Sequence, residues 1–136
     1  MKENSRFKFR AWDYESERWV YGYYTKLVEG IRKYDAIVSE DGGSLVRYYI
    51  DDIKTLGQYT GLKDLNGKEI YEGDIIKIPE TKYHTSFNID VVFSLGMFKG
   101  NSFLCSEDLH EISSECEVIG NIYENPELLG PNNESK

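Results

Sequence analysis

Gln58–Lys77 reads QYTGLKDLNGKEIYEGDIIK, and its turn grammar decides how the chain folds. Asp64-Leu65-Asn66-Gly67 is a turn with a mechanism. Asp64 can accept a hydrogen bond from backbone two residues on, while Asn66 and Gly67 tolerate positive φ. Asn-Gly between extended segments is the strongest short hairpin signal a sequence offers. Lys68–Glu72 then runs extended. Gly73 permits a sharp bend, Asp74 can close that bend through its side chain, and Ile75-Ile76-Lys77-Ile78 begins a strand.

Working outward, the N-terminal side alternates. Phe7, Phe9 and Ala11 point one way and Arg6, Lys8 and Arg10 the other, which predicts a strand with one wet, basic face ending at Trp12. Asp13–Glu17 is a polar turn. Arg18–Leu27 resumes the pattern with Trp19, Tyr21 and Tyr23 on one face and Val20, Gly22 and Tyr24 on the other, so a hairpin should pair aromatics across it. After a connection over Glu29–Lys33, Tyr34–Val38 and Leu45–Ile50 read as short strands flanking the turn Glu40-Asp41-Gly42-Gly43.

On the C-terminal side, Pro79–Ser86 is a polar loop. Ile89, Val91, Phe93 and Leu95 alternate as a strand, Gly96 breaks it, and Met97–Leu104 is its partner. Ser106–Ile112 is the helix candidate, with Ser106 able to cap it and Glu107 and Asp108 suited to the positive end of its dipole. Glu117–Tyr123 closes the β pattern. Asn125 and Pro126 open a single helical turn through Leu129, as cap and first residue.

Composition agrees with a β reading. Eleven tyrosines favour strands and half-buried surfaces. The 136 residues can bury a core without disulfide or metal. A formal charge of −8 opposes wrapping nucleic acid phosphate, although it does not exclude a local basic stripe. No apolar run approaches the ~20 residues of a membrane span. Met1–Ser5 lacks the apolar core of a signal peptide, so a cytoplasmic protein is expected.

Motifs for chemistry are thin. Cys105 and Cys116 with His84 and His110 do not have zinc-finger spacing. Adjacent Asp51 and Asp52 point to opposite sides of an extended chain and make a poor cation clamp. Gly42-Gly43 lacks the spacing and following helix of a phosphate loop. His110 near Cys105 is the closest approach to a nucleophile pair, and such a pair also needs an orienting group and an electropositive setting. The expectation is therefore no catalytic residue, no metal ligand and no cofactor. The Arg6/Lys8/Arg10 stripe has two readings, a solvated face whose cations meet Glu15, Glu17 or Glu29, or a phosphate-binding strand with Trp12 or a tyrosine stacking on bases.

Three blocks resemble the YopX family found in phages and prophages. They are Lys8-Phe9-Arg10-Ala11-Trp12-Asp13, then Gln58–Asp64 with Asn66–Ile75, and Val118–Leu129. The resemblance implies a phage or prophage origin, a mostly β fold with an SH3-like barrel, and self-association. It carries no catalytic residue. A Tyr-x-Gly-Asp-x sequence entering a strand, as at Tyr71–Ile75, suits such a barrel and also suits an ordinary loop before a strand. The combined expectation is a mostly β chain with one or two short helices. Residues 1–57 would form an N-terminal β unit packed on an SH3-like barrel at 58–129, and 130–136 a disordered tail. Asp64, Asn66, Gly67, Gly73 and Asp74 would be structural turn residues, and Arg6, Lys8, Arg10 and Trp12 a candidate interaction face. Expected partners are a second copy of the chain, a host or phage protein, or nucleic acid as the alternative, with no membrane.

Overall fold

The computed structural model describes residues 7–101 and 106–130. The fold is mostly β, with antiparallel sheets and a few short helical turns. The chain divides into two compact units, with the boundary between Tyr59 and Thr60 inside one strand.

In the first unit β1 (Phe9–Asp13) pairs with β2 (Arg18–Glu29), β2 with β3 (Arg32–Asp41), and β3 with β4 (Ser44–Tyr49). On its other side β1 meets the start of β5 (Gly57–Lys63), with Phe9 opposite Gln58. The strands β2 and β3 run longer than their local patterns suggest. Glu29 pairs with Arg32, so the expected connection shrinks to the two-residue turn Gly30-Ile31 and ladder pairing carries polar ends that propensity alone would not. Ala11, Val20 and Ile37 form the core of this unit, with Phe9, Tyr24, Tyr48, Ile50 and Leu56 packed against it. Gly22 has a steric reason to be glycine, because an added Cβ would run into the Val38 carbonyl oxygen.

Beyond β4, Asp52 caps the 3-10 turn Ile53–Thr55 by accepting from Lys54 N at 3.0 Å. The buried Thr55 hydroxyl donates to Asp52 O and accepts from Trp12 N, tying that turn to β1.

In the second unit the later part of β5 lies beside β6 (Glu69–Tyr71), and Thr60 Oγ1 donates to Ile70 O at 2.7 Å. A five-stranded sheet follows. Its strands are β7 (Asp74–Ile78), β8 (Phe87–Ser94), β9 (Met97–Asn101), β10 (Ser106–Asp108) and β11 (Glu117–Asn121), in the order β10-β9-β8-β7-β11. Four strands meander, and the fifth returns beside the first after the single turn α1 (Leu109–Ile112). That order is consistent with an SH3-like arrangement. The core gathers Ile70, Ile76, Ile78, Ile89, Val91, Leu109 and Cys116. Each fully buried Ile, Leu or Val contributes about 1.5–3 kcal/mol relative to exposure.

Several expectations change here. The helix begins at Leu109 and not at Ser106, because Ser106, Glu107 and Asp108 pair with Asn101, Gly100 and Lys99 as strand. Ladder pairing outcompetes a helix that would span barely two turns. Leu95 does not continue the β8 alternation. Ser94 pairs with Met97, so Leu95 and Gly96 are the two turn residues, and Leu95 takes φ 54°. Pro126–Leu129 is a 3-10 turn in which the Asn125 side chain makes no cap bond, since its Oδ1 accepts from Asn121 N instead. Arg6, Cys105, the end of the expected Met97–Leu104 strand and all but the first residue of the expected tail lie outside the described residues.

Candidate functional site

Two features compete for attention, the outer face of the first unit and the turn network of the second. On β1 the expectation of a wet basic face fails at Arg10, which is only 6% exposed. Its guanidinium carbon lies 4.6 Å from the centre of the Trp19 ring, and Trp19 meets Trp12 edge-on at 5.5 Å. Arg10 pairs with Tyr21 and Trp12 with Trp19 across the hairpin, so register delivers the cation to the indole. Period-two alternation distinguishes the two faces of a strand but does not say which face is covered. Lys8 is half-buried with its ammonium 5.4 Å from the Tyr59 ring centre. Cation-ring contacts of this kind contribute about 0.5–2 kcal/mol, more where water is excluded. These cations are engaged with rings of their own unit.

The same face continues outward as aromatic surface. Tyr21 and Tyr23 on β2 are 44% and 59% exposed, while Val20 and Tyr24, pointing the opposite way, belong to the core side. Val38 pairs with both Tyr23 and Arg47, and Ala36 with both Thr25 and Tyr49, which sets Arg47 and exposed Tyr49 on the same side. Tyr49 donates to Glu29 Oε1 at 3.1 Å, and this contact raises its pKa above the ordinary phenol value, chiefly through that hydrogen bond. On the core side Tyr24 donates to Asp35 Oδ1, with the same direction of shift for the same reason.

The turn residues of the second unit form a backbone-satisfying network. Asp64 is buried, and its carboxylate accepts three backbone N–H groups, from Asn66 and Lys68 to Oδ1 and from Val118 to Oδ2, each at 2.9 Å. Burial works to raise its pKa, but the Val118, Lys68 and Asn66 donors together with the Lys68 charge outweigh it and hold the carboxyl below its ordinary range. Gly67 N donates to Asp64 O, and Asn66 Nδ2 donates to Glu117 Oε2 at 3.3 Å. Asp74, 2% exposed, accepts from Tyr71 N at 2.7 Å and closes the bend at Gly73. Gly73 has φ 88°, and a Cβ there would lie 3.0 Å from the Tyr123 ring. Asn121 accepts from Tyr123 N and Glu124 N and fixes the chain after β11. Sequence reasoning finds the local half of this network. It misses the bond from Asp64 to Val118, 54 residues away, for which no local pattern gives a signal, and it passes over Asn121, whose acceptance from residues two and three further on is a local Asx-type pattern.

Chemistry at the thiol points away from nucleophilic use. Cys116 is fully buried, donates to Ser113 O at 3.4 Å, and burial, then the Asp64 charge, push its pKa up to about 11. Among the described residues no group of three or more His, Cys, Asp or Glu is placed to hold a metal ion. His84 sits edge-on to Phe87 in an exposed loop and His110 on the exposed side of α1. No helix among the described residues is long and apolar enough to cross a membrane.

A search of curated proteins finds no match. Two solved structures share the architecture. A protein from Enterococcus faecalis, EF1440, is 29% identical with a TM-score of 0.52, the match covering 90% of this chain and 96% of that one. The protein yopX from Bacillus subtilis is 23% identical with a TM-score of 0.61, covering 91% and 98%. The family model for the YopX protein matches residues 8–130, which takes in both units and every turn described above, and the chain therefore belongs to the YopX family.

Proposed function

We propose that this chain is a phage- or prophage-encoded accessory protein without enzymatic activity, acting by protein–protein interaction that includes assembly with copies of itself. The observation that carries the reading is the outer face of β2 to β4, where Tyr21, Tyr23 and Tyr49 are exposed and Leu45, 74% exposed, lies on the same side of the sheet. Tyrosine brings large contact area with few rotors and is enriched in protein interfaces. Several large side chains exposed on one face of a sheet are the raw material of a binding surface. The edge strand β4 adds a row of backbone groups beside it, which a second chain can extend. The buried, raised-pKa thiol of Cys116 argues against nucleophilic chemistry at that residue.

The nucleic-acid alternative rests on Arg6, Lys8 and Arg10 as a solvated stripe. Arg10 is enclosed against Trp19, and the net charge of −8 works against phosphate, so this reading has less support.

Sedimentation across a concentration range tests the proposal. The native chain is expected to sediment above the 15.8 kDa of one copy, and Tyr21→Ser with Tyr23→Ser to shift the profile toward one copy while circular dichroism stays unchanged. A single-copy mass at every concentration defeats self-assembly. A DNA or RNA mobility shift at low salt, lost on Arg10→Glu, would replace the proposal with the alternative.

A further inference from the structure

We infer that Asn66 is a self-modification site, at which spontaneous deamidation is held back by the Asp64 turn and, once it occurs, loosens the joint between that turn and β11. Among the asparagines of the chain only Asn66 precedes a glycine. Without a Cβ, Gly67 offers its backbone nitrogen to the preceding side chain unhindered. The reaction needs no catalyst. Gly67 N attacks Asn66 Cγ, the Cγ–Nδ2 bond breaks, and ammonia leaves with the proton from Gly67 N. The succinimide that remains adds water across one of its two imide C–N bonds. It opens to aspartate, or to isoaspartate with the main chain rerouted through the former side chain.

The structure ties down both reacting groups. Gly67 N donates to Asp64 O at 3.0 Å, so this bond must break before the nitrogen can lose its proton and attack. Asn66 Nδ2 is held by Glu117 Oε2 at 3.3 Å, which restrains the amide. Asn66 N and Lys68 N are both fixed on Asp64 Oδ1 at 2.9 Å, which denies the backbone the rotation that ring closure requires. Yet Asn66 and Gly67 are themselves exposed, so water reaches the site and only the turn's hydrogen bonds stand between the native geometry and the reactive one.

Conversion does not reverse. The new carboxylate cannot donate to Glu117, and it stands near two existing carboxylates, those of Glu117 and Asp64. Isoaspartate adds a backbone atom between Asp64 and Lys68, so Asp64 Oδ1 can no longer accept both N–H groups in this geometry. Asp64 Oδ2 is the link to Val118 on β11, and the damage therefore spreads from the turn to the sheet.

The test incubates the full chain, folded or in urea, in mildly alkaline buffer. Amide-to-acid conversion is followed by intact mass and by peptide mapping with fragmentation that separates aspartate from isoaspartate. In urea the Asn66 peptide should convert faster than any other asparagine peptide, and in the folded protein several-fold more slowly. Glu117→Ala, which removes only the amide tether, and Asp64→Ala should each raise the folded rate toward the urea rate and leave the urea rate unchanged. Glu117→Ala serves alone if Asp64→Ala does not fold. Equal folded and unfolded rates, or a folded rate indifferent to the variants, overturns the gating. A converted sample that unfolds at the same temperature as fresh protein overturns the loosening.

Discussion

Replacing Asp64 by alanine should be among the most damaging single changes in the second unit. Three backbone N–H groups lose a charged acceptor, and hydrogen bonds to charged groups contribute about 1.5–3 kcal/mol each. They are not equivalent. Asn66 and Lys68 are exposed, so water replaces the carboxylate there at a cost of about 0.5–1 kcal/mol each. The Val118 N–H is half-buried on β11, has no such substitute, and keeps most of its full value. The total comes to about 2.5–5 kcal/mol, a large share of the 5–15 kcal/mol that a domain of this kind has. Asp64→Asn retains one carbonyl acceptor and should cost about half as much.

Both tryptophans lie in the first unit, so tryptophan emission has no probe in the region around Asp64. The buried Cys116 does, through its accessibility to a thiol reagent across a urea series in a Cys105→Ser background. Asp64→Ala should lower the urea midpoint of Cys116 exposure sharply. The pH dependence supplies a second measurement. The folded pKa of Asp64 is lowered, so its contribution is fully present above the unfolded value of about 4 and is lost as pH falls through the folded value below it. The native chain should therefore lose stability below about pH 4 by an increment that Asp64→Ala lacks. A midpoint for Asp64→Ala within about 0.5 kcal/mol of native, or identical acid limbs, would refute the reasoning.

Three further outcomes follow from named contacts. Gly22→Ala forces a Cβ against the Val38 carbonyl and should cost about 1–3 kcal/mol, read as an earlier transition in tryptophan fluorescence. Leu95→Asn should stabilise by about 1 kcal/mol, because it exchanges an exposed leucine at φ 54° for the residue best suited to that position before Gly96, and a thermal scan would detect it. Cys116 in folded protein should resist alkylation at neutral pH and react readily in denaturant, since its folded pKa of about 11 leaves almost no thiolate until the core opens, and rapid labelling of the native state would contradict the burial.

How far the fold was legible follows from what each signal measures. Alternation located the strands of both units, and turn chemistry located the bends at Asp64–Gly67 and Gly73-Asp74. Each of those signals is local. Where the outcome depended on which residue the backbone pairs with across a ladder, reading failed. Arg10 has the spacing of a solvated cation, and only the register that sets it beside Trp19 encloses it. Ser106–Ile112 has the caps of a helix, and only the presence of β9 alongside turns its first three residues into strand. Leu95 follows an alternating run, and only the pairing of Ser94 with Met97 makes it a turn residue.

The candidate face was half legible for the same reason. The Trp19, Tyr21 and Tyr23 alternation is local, while the burial of its inner end is not. The family blocks show the other side of this division. Asp64, Asp74, Asn121 and Asn125 all place an oxygen where a backbone N–H of a bend would otherwise lack a partner. Such a residue is fixed by geometry within a few positions of itself, so it stays recognisable in a lone sequence. A surface that binds a partner has no internal bond to satisfy and leaves only its composition behind. The stretches by which this chain is recognised are therefore its joints, and the face proposed above for binding lies where the sequence is least distinctive, along β2 to β4.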